Sequence, residues 1–234
     1  MKVQLKTEYS TQNPDDVPVM AARGDYLPHS LVNKSLDDAL EGTSKTHEEL
    51  IGELLRRGHF GPFEHIQAFF AVEGLSRSAM AQVTRHRHMS FDVQSQRYCD
   101  FSEKNIVVPP GDKQNPGAED VVLGQYDGPA EDFTGADAFE GHFLNSVELY
   151  EKLIEQGMAK EDARFILPIG VEVDLTFSAN ARTLKHFFDL RKNMKAQWEA
   201  REFATKVLDE CKEWSPLVFS AYEEHLNNNS IRAP

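Results

Sequence analysis

The spacing of apolar and polar residues along this chain predicts many helices and few strands. Lys2 to Thr7 alternates weakly, as an edge strand does, and Asn13 to Pro18 is a turn-rich connection. Val19 to Arg23 is a short helical candidate. From Thr46 to Arg57 the helical pattern is clearer. Leu50, Ile51, Leu54 and Leu55 form one stripe, Thr46 and Glu49 have the spacing of a capping box, and Gly58 supplies a stop. A loop from Gly58 to Glu64 leads into the apolar, aromatic run Ile66 to Val72, which reads as a strand. Ser76 to Arg87 predicts a helix with Met80 and Val83 inward. Met89 to Gln96 lacks a helical period and is expected as a loop, and Asn105 to Pro110 as a short extended piece.

The stretch Gly111 to Asp137 is rich in Gly, Pro and Asp, and is expected to be a variable acidic surface loop or a mobile insertion. Ala138 to Gln156 predicts a long amphipathic helix carrying Phe139, Phe143, Val147, Tyr150 and Ile154 at spacings of three and four. Val171 to Ser178 alternates cleanly, with Val171, Val173, Leu175 and Phe177 on one face, as a half-buried strand does. Asn180 is placed to cap a helix over Ala181 to Arg191. A further helix spans Ala196 to Cys211, and Ser215 with Pro216 opens a last one. No internal repeat is present. The order predicts an α+β fold: one domain over 1–234, with a small, mainly antiparallel sheet packed with several helices.

Composition narrows the function. A chain of 234 residues can bury a core without staples. The two cysteines, Cys99 and Cys211, form no CxxC pair, and no HExxH spacing occurs, so no metal site is expected. No basic-then-apolar leader precedes the first elements, and no apolar run reaches the ~18–20 residues of a membrane helix, so a cytoplasmic protein is expected. The net charge of −13 argues against a nucleic-acid surface. That charge is uneven. Arg77 to Arg97 carries four arginines against Asp92, and Arg164 to Lys195 carries six basic residues against three acids. Between them, Glu103 to Asp162 holds fourteen acids against four lysines. Two basic islands in an acidic chain suit an anionic ligand such as a phosphate. They equally suit pairing with the acids of the middle segment.

The informative segment runs from Arg85 to Tyr98. Arg85, His86 and Arg87 fall at a predicted helix C-terminus, where cations complement the helix dipole. Capping does not require three such residues in succession. If the chain beyond is extended, Ser95 and Arg97 face the same way, and a hydroxyl beside a guanidinium fork suits a phosphate or the edge of a uracil. Ser95 has no evident base and orienting group, so it is assigned to binding. The surroundings of Cys99 do not resemble a nucleophilic cysteine motif.

Arg-His-Arg, seven residues, Ser, any residue, Arg resembles the signature of the flavin-dependent thymidylate synthases. Further blocks are similar in the same order: Ala21-Ala22-Arg23, Gly58-His59 with Pro62-Phe63-Glu64-His65, Asp162-Ala163-Arg164 to Leu167-Pro168, and Asn180-Ala181-Arg182 to Leu190-Arg191 with Ala196-Gln197-Trp198-Glu199. The resemblance covers most of the chain outside the acidic stretch.

The resemblance implies methylation of dUMP to dTMP, with 5,10-methylenetetrahydrofolate as carbon donor, FAD reduced by NADPH, and no protein nucleophile. It implies that Arg85, His86, Arg87, Glu64, Asp92, Asn180, Arg182 and His186 hold FAD. Gln82, Ser95, Gln96, Arg97, Arg164 and Arg191 would bind dUMP. The catalytic residues would be Arg191, which stabilises charge on the uracil, and His59, which borders the flavin and gates folate or pyridine nucleotide. It also implies a homotetramer with shared active sites. Asp25, Gly61, Asp92, Val93, His186 and Lys195 depart from commoner residues of the family. These departures motivate an alternative, a non-catalytic flavin- or nucleotide-binding regulator.

Overall fold

The computed structural model describes residues 1–111, 116–124 and 133–220. Its strands are β1 (Lys2–Leu5), β2 (Gln67–Ser76), β3 (Ser90–Val93), β4 (Val122–Gly124), β5 (Phe133–Thr134) and β6 (Glu172–Asn180). Its helices are α1 (Asp16–Gly24), α2 (Leu36–Leu40), α3 (His47–Arg56), α4 (Arg77–Val83), α5 (Gly135–Glu155), α6 (Lys160–Ala163), α7 (Ala181–Arg191) and α8 (Trp198–Trp214). The fold is α+β, as expected. The main sheet has the order β1-β2-β6-β3, and β4 pairs with β5 antiparallel. Strands β2 and β6 run in opposite directions, because Ala181 N–H donates to the Ile66 carbonyl at one end and Arg77 N–H to Val171 at the other. Among the described residues no helix is long and apolar enough to cross a membrane.

Chain contacts define two compact units. One comprises Met1–Val72, Gln82–Asp92 and the chain from Thr176 onward; the other comprises Glu73–Ala81 and Val93–Leu175. The core of the first is aromatic. Phe70 of β2 stacks on Phe177 of β6 with ring centroids 4.6 Å apart, and Phe177 also meets Phe91 and, edge-on, Phe203 of α8. Helix α8 lies on β1, where Leu5 N–H donates to Glu210 Oε2 at 2.7 Å. Lys185 of α7 is fully buried, its Nζ 3.5 Å from the centre of the Phe63 ring. A cation there is offset by the ring's negative face, while burial holds its pKa well below the ordinary lysine range.

The second unit is built on α5. Thr134 and Asp137 form a reciprocal capping box at its start. Its Phe143 and Tyr150 then pack with Phe101, Ala163, Leu167, Val171 and Val173.

Local expectation and structure part company in several places. The 3-10 turn Gly61–His65 replaces part of the loop before β2. Helix α4 stops at Val83 rather than Arg87, since Arg85 N–H and His86 N–H close tight bonds to Gln82 and Val83 and the chain turns there. Met89 to Gln96 contains β3, because its partner in the sheet is the distant strand β6, which periodicity does not report. The supposed loop Gly111 to Asp137 includes the β4–β5 pair and the start of α5. Residues 112–115 and 125–132 lie outside the described residues. At its base Gly111 and Gly117 touch backbone to backbone. A Cβ added to Gly111 would sit 2.2 Å from the Gly117 nitrogen, so neither position admits a side chain. The short helices α2 and α6 carry no long apolar stripe, although Ser35 and Asp38 form a capping box that marks α2.

Phe177 is 1% exposed and touches three other rings. Replacing it with alanine should cost about 3–5 kcal/mol of unfolding free energy. Guanidinium titration monitored by far-UV circular dichroism would measure this, and a loss below about 1 kcal/mol would show that the site collapses around the gap.

Candidate active site

The site starts from a helix cap. Asn180, the last residue of β6, accepts the Thr183 N–H on its side-chain oxygen at 2.8 Å and fixes where α7 begins. Leu184, Phe187 and Phe188 of that helix are buried, which leaves Arg182, His186, Leu190 and Arg191 on its open side. The turn after α4 brings Arg85, His86, Arg87 and His88 to face them, and the 3-10 turn adds Glu64. Together they line a cavity of about 750 Å³. Glu64 is the one carboxylate among these described lining residues, against four arginines.

Two contacts organise these charges. Arg182 Nη1 pairs with Glu64 Oε1 at 2.5 Å. Arg191 donates Nε–H to His86 Nε2 at 2.9 Å and an Nη2 hydrogen to the Gln82 carbonyl at 3.0 Å. His86 is 9% exposed, with Phe187 edge-on at 5.0 Å and His186 at 6.3 Å. Burial first, then the positive charge of Arg191 and His186, lower its pKa from 6.5 to about 4. The imidazole is therefore neutral near pH 7. Accepting through Nε2 assigns its proton to Nδ1. Burial and the charge of Arg85 lower Arg191 in turn. A guanidinium carries five N–H donors, so three of those on Arg191 remain for a ligand after these two bonds.

Most of the residues implied for FAD thus converge: Arg85, His86, Arg87, Glu64, Asn180, Arg182 and His186 line the cavity with Arg191. Gln82 joins them through its carbonyl. Asp92 does not line it, being exposed on β3. Nor does His59, which lines a pocket of about 190 Å³ with Arg23 and Tyr26. Thr183, His88 and Leu190 line the cavity without having been singled out. Two of them follow directly from their neighbours, since His88 extends the Arg85 turn and Leu190 precedes Arg191.

Ser95, Gln96, Arg97 and Arg164 belong to the other unit, where Arg97 and Arg164 both bond to Glu161. The chain there is a turn rather than extended, because Arg97 N–H donates to Ser95 Oγ at 3.3 Å and Cys99 N–H to the Ser95 carbonyl at 2.9 Å. Arg97 Nε donates to Glu161 Oε2 at 2.5 Å, and its guanidinium lies 5.5 Å from the centre of the Tyr98 ring. Arg164 Nε donates to the Glu161 carbonyl at 2.9 Å. Gln96 is 4% exposed, and among the described residues nothing bonds to its buried Nε2.

Fold and site define a class: an α+β protein with a cationic cleft suited to a large phosphorylated ligand. Comparison with known proteins narrows it. The family model described as "Thymidylate synthase complementing protein" matches residues 7–217. The flavin-dependent thymidylate synthase of Haloarcula marismortui is 41% identical, over 98% of this chain and 99% of that one. The protein of the same name from Halobacterium salinarum is 40% identical over 99% of both. The chain belongs to the flavin-dependent thymidylate synthase family. A solved structure, the UMP/dUMP methylase PolB from Streptomyces cacaoi bound with 5-Br dUMP, has the same fold. Its TM-score is 0.71 at 24% identity, covering 95% of this chain and 94% of that one.

The depressed pKa of His86 makes stability depend on pH with a definite sign. The fold favours the neutral ring, so this contribution is complete above pH 6.5 and is lost as pH falls from 6.5 towards 4. At full loss it is on the order of 3 kcal/mol. His86→Gln keeps an acceptor for Arg191 and does not titrate. Its unfolding free energy, measured at intervals from pH 7 to pH 4, should fall less steeply than the parent's. Parallel curves would show that His86 binds its proton equally in both states.

Proposed function

We propose that this protein methylates dUMP to dTMP with FAD seated in the cavity, 5,10-methylenetetrahydrofolate as carbon donor and NADPH as reductant. One observation carries the reading: Arg85, His86 and Arg87 of the signature share a cavity with Asn180, Arg182 and Arg191 of the C-terminal block. The residues present fit the flavin. The cavity has the volume of a cofactor pocket, and its guanidinium forks match diphosphate oxygens. Arg85, Arg87 and Arg182 would hold the phosphates, Glu64 orients Arg182, and Asn180 and His186 border the cofactor. When bound, the flavin supplies the redox chemistry and the route by which the folate's methylene carbon reaches uracil.

The chain's own residues bind, orient and stabilise charge. His86, neutral, holds the Arg191 guanidinium in one orientation while three of its donors stay available. A fixed cation placed where negative charge develops on the uracil lowers the barrier without reorganisation. Ser95, Gln96, Arg97 and Arg164 would take dUMP, the arginines its phosphate. Ser95 Oγ is engaged by the Arg97 N–H, a turn-forming role rather than the bond to a base that a nucleophile requires. The substrate named for the Streptomyces cacaoi structure supports the dUMP reading. For His59, a place beside folate and NADPH rests on the family alone, as does the homotetramer with shared sites. The alternative of a non-catalytic flavin- or nucleotide-binding regulator is not favoured, because relatives aligned over the whole chain are named as synthases.

The purified protein should be yellow, bleach with NADPH under anaerobic conditions, and reoxidise when methylene-folate and dUMP yield dTMP. A colourless protein that FAD cannot reconstitute would overturn the proposal. Arg191→Ala should lower kcat by roughly 100-fold or more while changing FAD affinity less. Arg97→Ala should weaken dUMP binding by about ten- to a hundredfold and leave FAD binding nearly unchanged. Parent-like turnover in both variants would mean the residues are misassigned.

A further inference from the structure

Glu161 holds both arginines assigned to the nucleotide phosphate, and it holds them by different atoms. Its carboxylate accepts Arg97 Nε–H at 2.5 Å, and its backbone carbonyl accepts Arg164 Nε–H at 2.9 Å. Arg77, partly buried, lies within electrostatic reach of Arg164. Three guanidinium groups thus share one unit with a single carboxylate ion-paired to them among the described residues. The Arg97 and Glu161 side chains are 54% and 45% exposed, so the pair is solvated and weak. A phosphate dianion offers a guanidinium fork more charge than a carboxylate and three acceptor oxygens rather than two.

We propose that the Glu161 carboxylate is a stand-in for the nucleotide phosphate, a positioning residue that occupies Arg97 until the phosphate displaces it. The proposal rests on the reading of Arg97 and Arg164 as phosphate ligands. The division of labour within Glu161 makes the exchange feasible. Its side chain can swing into water, while its carbonyl, fixed in α6, keeps Arg164 aimed. The carboxylate also screens the arginines from one another when no nucleotide is present. It raises the charge that an incoming ligand must bring. A neutral nucleoside cannot displace it, a monoanion gains little, and a phosphate monoester can.

The test is isothermal titration of the FAD-loaded protein with dUMP, deoxyuridine and inorganic phosphate. Parent, Glu161→Gln, Arg97→Ala and the double variant are compared. Glu161→Gln should tighten dUMP and phosphate by about two- to fivefold, the size of a removed exposed ion pair. It should leave deoxyuridine unchanged, and the gain should vanish in the Arg97→Ala background. Unchanged or weaker dUMP binding in Glu161→Gln would overturn the proposal, as would a gain that persists without Arg97. Equal tightening of deoxyuridine would also overturn it, since that is the mark of a general structural effect. A parent that binds no dUMP would overturn the reading of the site itself, whatever Glu161 does. Glu161→Asp provides a second variant of the same charge and shorter reach, for which a smaller gain of the same sign is expected.

Discussion

Four arginines in one cavity repel one another, and particular neighbours hold two of them, Arg182 and Arg191, in place. Arg182 is held by a carboxylate, Glu64. Arg191 is held by an imidazole and a backbone carbonyl, neither of which cancels its charge. That difference matters. An arginine paired with an acid shares its field with that acid until a stronger anion competes, whereas one steered by neutral acceptors keeps its field whole. The hydrogen bond from Arg191 to His86 therefore requires an uncharged ring, and burial beneath Phe187 with the surrounding positive charge keeps the ring uncharged. The aromatic core and the cationic cavity meet at His86.

The two readings of the basic islands each describe part of the molecule. Arg97 does pair with an acid of the middle segment, Glu161, as a purely structural account requires. Arg85, Arg87 and Arg191 have no carboxylate partner among the described residues and face a cavity instead. An overall charge of −13 hid this, because the acids are concentrated between Glu103 and Asp162 in the chain. Local balance, residue by residue, shows which arginines already have an acid for a partner, as Arg97 and Arg182 do, and which do not.

What could be read in the sequence was whatever local chemistry determines. The caps at Thr46, Asn180 and Gly58, the stripe of α5 and the two-residue period of β6 follow from side chains within a few positions of one another. Arg85, His86 and Arg87 of the signature line the cavity, whereas its Ser95 and Arg97 do not. What escaped was set at long range. The stop of α4 at Val83 accompanies the burial of His86 against a helix about a hundred residues later. Strand β3 exists by pairing in the sheet, and the turn at Ser95 to Cys99 closes on its own backbone rather than extending as a side-chain pattern suggested. His59 could be named by its block, but not its separate pocket with Arg23 and Tyr26. Glu161 gave no signal, since one acid among fourteen is indistinguishable until its partner is seen.

The period of β6 limits how this protein can change length. Val173, Leu175, Phe177 and Ala179 point inward, and their neighbours are only partly buried. Inserting or deleting one residue within the strand would exchange the two sets, turning Phe177 away from Phe70 and shifting the register at Asn180, where α7 starts. Insertions and deletions among related proteins should therefore be absent between Val171 and Asn180. They should collect instead between Gly124 and Phe133, outside the paired strands β4 and β5. The strand acts as a ruler, and the acidic stretch is where the chain can vary in length without disturbing it.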